Sequence, residues 1–382
     1  MADIITKKMS KLKSAAYPYL QKARYAKFIA LFEKAKRLPM KENAILMYST
    51  SKGKLGGNLL AIKQYIENNA LPYEILTATS DCMPDEETLA KEMAQSKFIL
   101  VDDYEPLVYV LKLKEGQRLV QVWHAMGAFK RFGYMRETAE KNSLTHKNYT
   151  DAIVSSPEII PIYAKSFGID EKKVKAIGTP RTDCFFDESY VAAAKDRLYH
   201  QYPLLKGKKI CLFAPTFRGN QVDDADYPSE FLNLTEFARS LGEEWAVILK
   251  MHPFVKRKTE IPDEVKDRVF DLSEEREINE ILLITDVLVT DYSSVIFENA
   301  VIGNAAVMYV PDLDEYHQQR GFYYRFEEYA CGEIVTDQRA LAEAVRNADA
   351  GDERMTAFQK RFVPLCDGNS SARFVNTILE EK

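Results

Sequence analysis

Two histidines follow short apolar runs, where buried strands of a parallel sheet are expected to end. His124 comes directly after the run Leu119–Trp123, and His252 comes just after the run Ala246–Lys250. Imidazole exchanges a proton near neutral pH more readily than other side chains, so both residues are candidates for acid–base chemistry. A single histidine at a strand end is more often structural. Two of them, one in each predicted sheet, favour a catalytic interpretation.

A small polar turn, Asp291-Tyr292-Ser293-Ser294, lies between an apolar run and a helical pattern. Ser293 or Ser294 would cap the helix that begins at Val295, which leaves backbone N–H groups and the positive end of the helix dipole near the turn. Such a helix terminus is suited to binding a phosphate. An ordinary helix cap has the same pattern, so both interpretations remain open.

Cationic side chains follow other predicted strands. Arg218 ends the loop segment Ala214–Arg218, and an arginine there can bind a phosphate through two parallel hydrogen bonds. Arg181 lies in a similar position, although pairing with the nearby Asp183 is the simpler interpretation. Lys130, shortly after His124, would either attract an anionic acceptor or be solvated.

Several other classes of site are not indicated. The chain has neither a P-loop pattern nor a well-placed G-x-G-x-x-G, which disfavours ATP hydrolysis and dinucleotide binding. The five cysteines are scattered and lack C-x-x-C spacing, so we predict a reducing cytoplasm and no zinc site. We predict no metal site, but Asp102-Asp103, Asp312 and Asp314 leave dependence on Mg²⁺ open. His146 and His200 lie in polar surroundings, and we interpret both as surface residues.

Twelve short apolar runs without polar alternation predict strands that are buried on both faces. They are Ala44–Tyr48, Tyr73–Leu76, Phe98–Val101, Leu119–Trp123, Ala152–Ser155, Val174–Ile177, Ile210–Ala214, Ala246–Lys250, Val269–Asp271, Val287–Thr290, Ala306–Tyr309 and Glu333–Val335. Helical patterns alternate with them, which predicts parallel sheets covered by helices on both sides. This number of strands suits two doubly wound α/β domains better than one wide sheet. We place the domains at residues 41–195 and 196–355, followed by a C-terminal helix over 356–382 that packs back on the first domain.

Ligands of open parallel sheets bind beyond the carboxyl ends of the strands, so the cleft between the two domains is the expected active site. The chain of 382 residues has a net charge of −5. Its first 40 residues hold ten Lys or Arg and two acids, a charge of +8, and the rest therefore carries −13. The acidic body argues against nucleic-acid binding.

The basic segment 1–40 has an amphipathic pattern. Its apolar residues recur at helical spacing, at Phe28, Leu31, Phe32 and Ala35. Such a helix either lies in an anionic membrane interface or docks on the body of the protein. Pro18 is predicted to separate it from a shorter basic stretch that contains Lys7, Lys8, Lys11 and Lys13. No run is long enough to span a membrane, and we see no signal peptide.

Taken together, these segments resemble the CDP-glycerol glycerophosphotransferase family, whose members prime and extend teichoic acid chains. The matching stretches occur in order between about residue 45 and about residue 375, and six ordered motifs make the match specific. They are Gln121–Lys130, Gly178–Asp183, Ala214–Arg218, Lys250–Pro253, Thr290–Glu298 and Pro311–Tyr316, with Arg320–Tyr323 close behind.

The resemblance implies a GT-B fold, in which two Rossmann-like domains face a cleft. It places His252, Arg218, Ser293 and Ser294 around the donor pyrophosphate, and His124 near the acceptor. We add Thr216, Asp291 and Glu298 to the donor side, and Lys130 and Arg181 to the acceptor side. His124 is then the base that takes the proton of the acceptor hydroxyl. No tightly bound cofactor is expected, because the CDP-polyol is itself a substrate.

The resemblance also implies an activity and a location. The chain is expected to transfer a polyol phosphate, most readily glycerol phosphate, from a CDP-polyol to a lipid-linked acceptor, releasing CMP. The family implies a peripheral protein of the cytoplasmic membrane face, which gives the basic N-terminal helix a role at the anionic membrane surface. A ribitol-phosphate transferase of the same family is the first alternative. A GT-B glycosyltransferase or nucleotide-sugar epimerase, and a non-catalytic membrane adaptor, are the others.

Overall fold

The computed structural model describes residues 15–51, 53–137, 139–140, 142–219, 224–257, 259–275 and 277–380. The chain divides into two compact units, each built on its own six-stranded parallel sheet. The first unit contains the described residues up to Ala125, then Arg131–Asp183 and the residues from Asn369 onward. The second unit contains Met126–Lys130 and Cys184–Gly368.

The sheet of the first unit has the strand order β2-β1-β3-β4-β5-β6, with all neighbours parallel. Its strands are β1 (Lys41–Ser49), β2 (Glu74–Thr79), β3 (Ser96–Val101), β4 (Arg118–Gln121), β5 (Asp151–Val154) and β6 (Val174–Ala176). Its helices are α1 (described over residues 15–24), α2 (Ala26–Ala35), α3 (Gly57–Asn68), α4 (Glu86–Gln95), α5 (Pro106–Tyr109) and α6 (Ile160–Phe167).

The sheet of the second unit has the order β12-β11-β10-β7-β8-β9, again parallel throughout, which is the strand order of a Rossmann fold. Its strands are β7 (Lys209–Phe213), β8 (Trp245–Leu249), β9 (Val269–Asp271), β10 (Val287–Thr290), β11 (Ala305–Tyr309) and β12 (Glu333–Val335). Its helices are α7 (Glu188–Gln201), α8 (Leu234–Leu241), α9 (Ile278–Leu282), α10 (Val295–Ile302), α11 (Leu313–Arg320), α12 (Gln338–Asn347) and α13 (Glu353–Phe362). The last helix, α14 (Ser370–Phe374), belongs to the first unit and continues into a π-helical turn, Val375–Leu379.

All twelve predicted strands are present, six in each of the two parallel sheets. Strand β8 is buried along its whole length. Helix α8 buries Leu234, Phe237, Ala238 and Leu241, the stripe expected of an amphipathic helix that covers a sheet. The Asn233 side chain accepts a hydrogen bond from the Glu236 N–H and so caps this helix.

The boundaries of the units differ from the predicted ones. The second unit begins at Cys184 rather than at 196, because α7 packs on α9, where Arg197 forms an ion pair with Glu280. The chain returns to the first unit at Asn369 rather than at 356, because α13 packs against α10. The helical tail is also interrupted before Gly368, which has a φ of +83°. The segment Met126–Lys130, placed by prediction in the first domain, packs in the second unit.

The N-terminal helices also differ from the prediction. Helix α1 runs through Pro18, and the break comes at Tyr25. Helix α2 buries Phe28, Phe32 and Ala35 and packs against α4, so its apolar face is docked on the first unit. The predicted basic stretch with Lys7, Lys8, Lys11 and Lys13 lies outside the described residues. None of the described helices is both long and apolar enough to cross a bilayer.

Candidate active site

His124 lies three residues beyond the end of β4, next to the loop that follows β3. Its Nδ1 atom is 3.2 Å from the carbonyl oxygen of Asp102 and 3.5 Å from Oδ1 of Asp103. Both neighbours are acceptors, so Nδ1 carries the proton of the neutral ring and Nε2 carries the lone pair. The side chain is 36% exposed. The arrangement is therefore that of an accessible base whose tautomer is set by the β3 loop.

The backbone before His124 is held in a strained conformation. Trp123 has a φ of +53°, which is unusual for a large side chain. The Asn58 amide donates to the carbonyl oxygens of Val122 (2.8 Å) and Trp123 (2.9 Å). The Gln121 side-chain oxygen accepts from the Trp123 N–H at 2.8 Å. The buried side-chain amides of Asn58 and Gln121 thus hold the peptide before His124. A strained backbone persists only when its surroundings hold it in this way.

Sequence reasoning missed Asn58 and Gln121, because an amide inside a helical or strand pattern carries no chemical signature. A polar residue within a run predicted to be buried, as Gln121 is, was the available signal. Both amides are buried. A buried polar group needs a hydrogen-bond partner, and here that partner is the backbone around Trp123.

Arg181 reaches the same loop. Its guanidinium donates to the carbonyl oxygen of His124 at 2.6 Å, and its backbone N–H donates to Asn58 Oδ1 at 3.0 Å. The Asp183 carboxylate instead accepts from the backbone N–H groups of Ser370 (2.9 Å) and Ser371 (2.7 Å). The predicted pairing of Arg181 with Asp183 is therefore wrong, because each side chain binds backbone groups elsewhere.

His146 is not the surface residue that its polar neighbours in sequence suggested. It is 1% exposed and lies among aromatic rings, with the centroids of Tyr104 and Phe167 4.7 and 4.8 Å away. Its Nδ1 atom is 3.2 Å from the Tyr149 hydroxyl. Burial lowers the pKa of His146 to about 3, so the ring is neutral. Its sequence neighbours are polar because they form a loop that covers this aromatic cluster.

In the second unit, polar groups converge where the strand order reverses, between β7 and β10. The loop after β7 and the turn after β10 are joined by Asp291, whose Oδ1 accepts from the Thr216 N–H at 2.7 Å. Its Oδ2 pairs with the Arg218 guanidinium at 2.9 Å. This reversal point is where ligands of doubly wound sheets bind. The structure thus brings three of the predicted donor-side residues together.

Arg218 also binds a second carboxylate. Its Nε and a terminal nitrogen donate to the two Asp312 oxygens at 2.6 and 2.8 Å, a bidentate pair. Asp312 additionally accepts from the Tyr292 hydroxyl at 3.0 Å. Burial raises the pKa of Asp291, and the Arg218 charge opposes that rise. Most of the hydrogen-bonding capacity of Arg218 therefore goes to the protein itself.

The predicted serine turn lies at the start of α10. Ser294 directly precedes the helix, and the Ser293 hydroxyl is 3.4 Å from the Val295 N–H. Glu298 lies one turn further along α10 and is buried. The turn therefore follows β10 at its carboxyl end, where the sequence placed it.

His252 follows β8 and has the opposite tautomer to His124. Its Nδ1 accepts from the Phe254 N–H at 3.2 Å, so Nε2 carries the proton. The ring contacts those of Phe217 and Phe254, both at 4.7 Å between centroids. Burial lowers the pKa of His252 to about 4, and the charges of Lys130 and Lys250 act in the same direction. His252 is thus a neutral N–H donor at neutral pH.

Lys130 was predicted on the acceptor side, but it lies in the second unit, with its Nζ 3.5 Å from the Tyr316 hydroxyl. Within the described residues, no three His, Cys, Asp or Glu side chains are grouped as a metal site requires. Of the acidic residues that left Mg²⁺ open, Asp312 binds Arg218 and Asp103 faces His124.

Comparison with known proteins identifies relatives of this chain. The model of the family described as CDP-glycerol:poly(glycerophosphate) glycerophosphotransferase matches residues 30–380. The chain is 38% identical over 371 residues, 94% of its length, to a teichoic acid poly(ribitol-phosphate) polymerase of Bacillus spizizenii. It is 39% identical over 370 residues, 92% of its length, to the teichoic acid ribitol-phosphate polymerase TarL of Staphylococcus aureus. It spans only 60% and 65% of the lengths of these two relatives.

Among solved structures, the wall teichoic acid polymerase TagF superposes with a TM-score of 0.76 at 21% identity, covering 95% of this chain and 97% of that one. Together with the two parallel six-stranded sheets, this likeness confirms the predicted GT-B fold.

Proposed function

Because the chain belongs to the CDP-glycerol:poly(glycerophosphate) glycerophosphotransferase family, we propose that it transfers a polyol phosphate from a CDP-polyol to a teichoic-acid-type acceptor, releasing CMP. The observation that carries this proposal is His124, whose Nδ1 faces Asp102 and Asp103 and whose lone pair is therefore on Nε2. A base of this kind is what a hydroxyl acceptor needs. We take the acceptor to be a teichoic acid chain, the polymer in the names of the relatives, and propose that it is lipid-linked.

In the proposed reaction, the acceptor hydroxyl attacks the phosphorus that carries the polyol. His124 Nε2 takes the hydroxyl proton, the new oxygen–phosphorus bond forms, and the bond to the CMP oxygen breaks. His252 Nε2–H, Ser293, Ser294 and the start of α10 hold the pyrophosphate and offset the charge that grows on CMP. Positioning and electrostatics of this kind are the general means of phosphoryl transfer.

Arg218 and Asp291 act indirectly in this proposal. The two carboxylates that bind Arg218 fix the loops after β7, β10 and β11 with respect to one another. Thr216 is part of the same network through its N–H. These three residues therefore position the donor site. Glu298, one turn into α10, is proposed to contact the nucleoside.

The identity of the polyol is the finer part of the proposal. The motif resemblance favoured glycerol, whereas the relatives at 38% and 39% identity are both named for ribitol phosphate. We therefore propose ribitol phosphate as the preferred group and glycerol phosphate as the alternative. Ribitol has two more hydroxyl-bearing carbons than glycerol, and a site that hydrogen-bonds such hydroxyls strongly rejects a substrate without them, so both donors must be offered.

The direct test supplies the purified protein with a short lipid-linked acceptor and one donor at a time. CDP-ribitol, CDP-glycerol and a UDP-sugar are compared, with the released nucleotide and the mass of the product as readouts. We expect CMP release and a mass increase of one or more ribitol phosphate units. Release of UDP would indicate a glycosyltransferase instead, and no CMP from either CDP-polyol would refute the proposal.

The role of His124 has its own test. His124→Ala should lower the transfer rate by about 10²- to 10⁴-fold, because the proton acceptor is lost. The affinity for the CDP-polyol should not change, since the donor-side groups lie in the second unit. His200→Ala is the matched control, because His200 is exposed on α7. Near-normal turnover of His124→Ala would show that another group is the base.

We also propose that the chain is peripheral to the membrane and that α1 makes the contact. Tyr19 and Leu20 are 75% and 63% exposed, next to the basic residues Lys22 and Arg24. Exposed aromatic and aliphatic side chains flanked by cations suit an anionic interface. Leu20→Asp should reduce co-sedimentation with anionic vesicles, and unchanged binding would exclude α1 as the contact.

A further inference from the structure

The five residues Met126–Lys130, which follow the His124 loop in sequence, are packed into the second unit. Phe129 stacks on Tyr329 with 4.3 Å between ring centroids, and the Tyr329 hydroxyl donates to the carbonyl oxygen of Ala128. Gly127 lies against the ring of Phe297 and has a φ of +67°. Apolar contacts and a hydrogen bond thus fix the segment, and they fix the position of Lys130 at its end.

The Lys130 side chain is partly buried among cations. Its backbone forms an antiparallel bridge with Phe322, and its Nζ lies 3.5 Å from the Tyr316 hydroxyl. Burial lowers the pKa of Lys130 to about 8, and the charges of Arg320 and Arg218 act in the same direction. Among the residues that the structure describes, Lys130 forms no ion pair.

The carboxylates of this region are already occupied. Asp291 opposes the lowering of the Lys130 pKa, but it and Asp312 both bind Arg218 directly. Both carboxylates, Asp291 and Asp312, therefore form ion pairs with Arg218, and neither forms one with Lys130 or Arg320. Arg320 donates to the carbonyl oxygen of Gly219 and, within the described part of the chain, forms no ion pair. Among the described residues, which leave out 220–223, the charges of Lys130 and Arg320 have no counter-ion.

This excess of positive charge borders the histidine of the same unit. The Arg320 guanidinium lies 5.8 Å from the centroid of the Phe217 ring, which in turn contacts His252. The Lys130 charge acts directly on His252 and disfavours its protonation. A partly buried cation without a counter-ion costs stability, and a bound anion would offset that cost. Two cations and one N–H donor form a suitable setting for two phosphates.

We propose that Lys130 binds the pyrophosphate of the CDP-polyol donor, with Arg320 as a second cation beside it. The segment Met126–Lys130 is then part of the donor site, although it follows the His124 loop in sequence. This inference rests on the proposed function, because it takes the anion from the proposed donor. The polyol and the acceptor do not enter into it.

The first test measures binding of CDP-ribitol by calorimetry without acceptor, so that no turnover occurs. Lys130→Met should weaken the affinity by roughly 10- to 100-fold, as expected for one charge-assisted hydrogen bond. Lys130→Arg keeps the charge and should bind more tightly than Lys130→Met. Lys206→Met, at an exposed lysine of the same unit, is the matched control and should bind like the wild type.

The second test uses pH. The diester pyrophosphate keeps its charge between about pH 7 and about pH 9, while Lys130, with a pKa of about 8, loses its proton in this range. If binding requires the ammonium, the affinity of the wild type should be roughly fivefold lower at pH 9 than at pH 8. His252, with a pKa of about 4, stays neutral throughout. In Lys130→Met this pH dependence should vanish.

The outcomes separate the inference from the function on which it rests. If the wild type binds CDP-ribitol and releases CMP, but Lys130→Met binds with the same affinity and the same pH dependence, only the inference is overturned. If the wild type binds neither CDP-ribitol nor CDP-glycerol, the proposed function fails and the inference with it. Thermal unfolding of each variant identifies one that does not fold, in which case Lys130→Gln, which keeps a donor of similar length, replaces it.

Discussion

The two histidines both follow the carboxyl end of a parallel strand, but their neighbours impose different tautomers on them. His124 Nδ1 faces the acceptors Asp102 and Asp103, which puts the lone pair on Nε2. His252 Nδ1 accepts from the Phe254 N–H, which puts the proton on Nε2. One ring is therefore arranged to take a proton and the other to donate a hydrogen bond. This division follows from single hydrogen bonds rather than from position in the fold.

Asn58 is the residue whose replacement best tests how precisely His124 must be held. Asn58→Ala removes the two hydrogen bonds to Val122 and Trp123, so the strained peptide at Trp123 is free to relax. We expect kcat to fall by about 10²-fold with little change in the KM for the CDP-polyol, as for a misplaced catalytic group. Steady-state kinetics below the unfolding temperature measure this split. If the amount of folded Asn58→Ala falls as much as its activity does, the role of Asn58 is purely structural.

For single residues, the sequence predicted where the side chains lie along the strands, but not their hydrogen-bond partners or their burial. Strand β4 ends at Gln121, just before His124, and β8 ends at Leu249, just before His252. The prediction that both histidines follow strands is therefore correct. The partners of Arg181 and the burial of His146 depend on loops that fold back from distant parts of the chain. No local pattern encodes such contacts.

Among the elements, the segment Met126–Lys130 tolerates little change at Gly127. At Gly127, a Cβ atom would overlap the ring of Phe297, and its φ of +67° disfavours any other residue. Gly207 has a similar φ of +82° but has open space around it. The two glycines therefore separate the cost of backbone strain from that of a clash.

Gly127→Ala should accordingly destabilise the protein more than Gly207→Ala. The strain of a left-handed residue, about 1–2 kcal/mol, is common to both, and forcing a methyl group into a packed ring adds about 1–3 kcal/mol for Gly127 only. Urea unfolding of the two variants gives the difference in free energy. Equal destabilisation would mean that Phe297 moves aside without cost.

Strands such as β5, β8, β10 and β11 were predictable because they are buried along their whole length, which leaves an unbroken apolar run in the sequence. Helix α2 shows the limit of such patterns. A basic amphipathic helix suits a membrane surface and an acidic protein surface equally, and here Phe28 and Phe32 pack on the first unit against α4. The amphipathic pattern predicts that the apolar face of α2 is covered, but it does not predict whether a membrane or the protein covers it.

On the scale of the whole molecule, the chain leaves the first unit and returns to complete it. The C-terminal side chains Phe374, Val375, Ile378 and Leu379 are part of its hydrophobic core. Asp183, at the point where the chain leaves, binds the backbone of Ser370, near the point where it returns. The first unit therefore cannot complete its core until residues 374–379 have been synthesised.

Ending the chain after Gly368 should unfold the first unit while the second unit remains folded. Burial of four apolar side chains is worth about 6–12 kcal/mol, which is comparable to the whole stability of a typical domain. Calorimetry should show one of two thermal transitions missing, whereas a chain ending at Glu380 keeps both. Two unchanged transitions in the shorter chain would show that these side chains are dispensable.

The packing of Met126–Lys130 in the second unit has a consequence for recombination between relatives. A chimaera that exchanges the second unit by a single crossover near residue 184 would leave this segment behind, against a surface from another parent. Its aromatic contacts with Tyr329 and its lysine would then be mismatched. An exchange of donor specificity between a ribitol-phosphate and a glycerol-phosphate enzyme should therefore transplant two pieces together, residues 126–130 and residues 184–368.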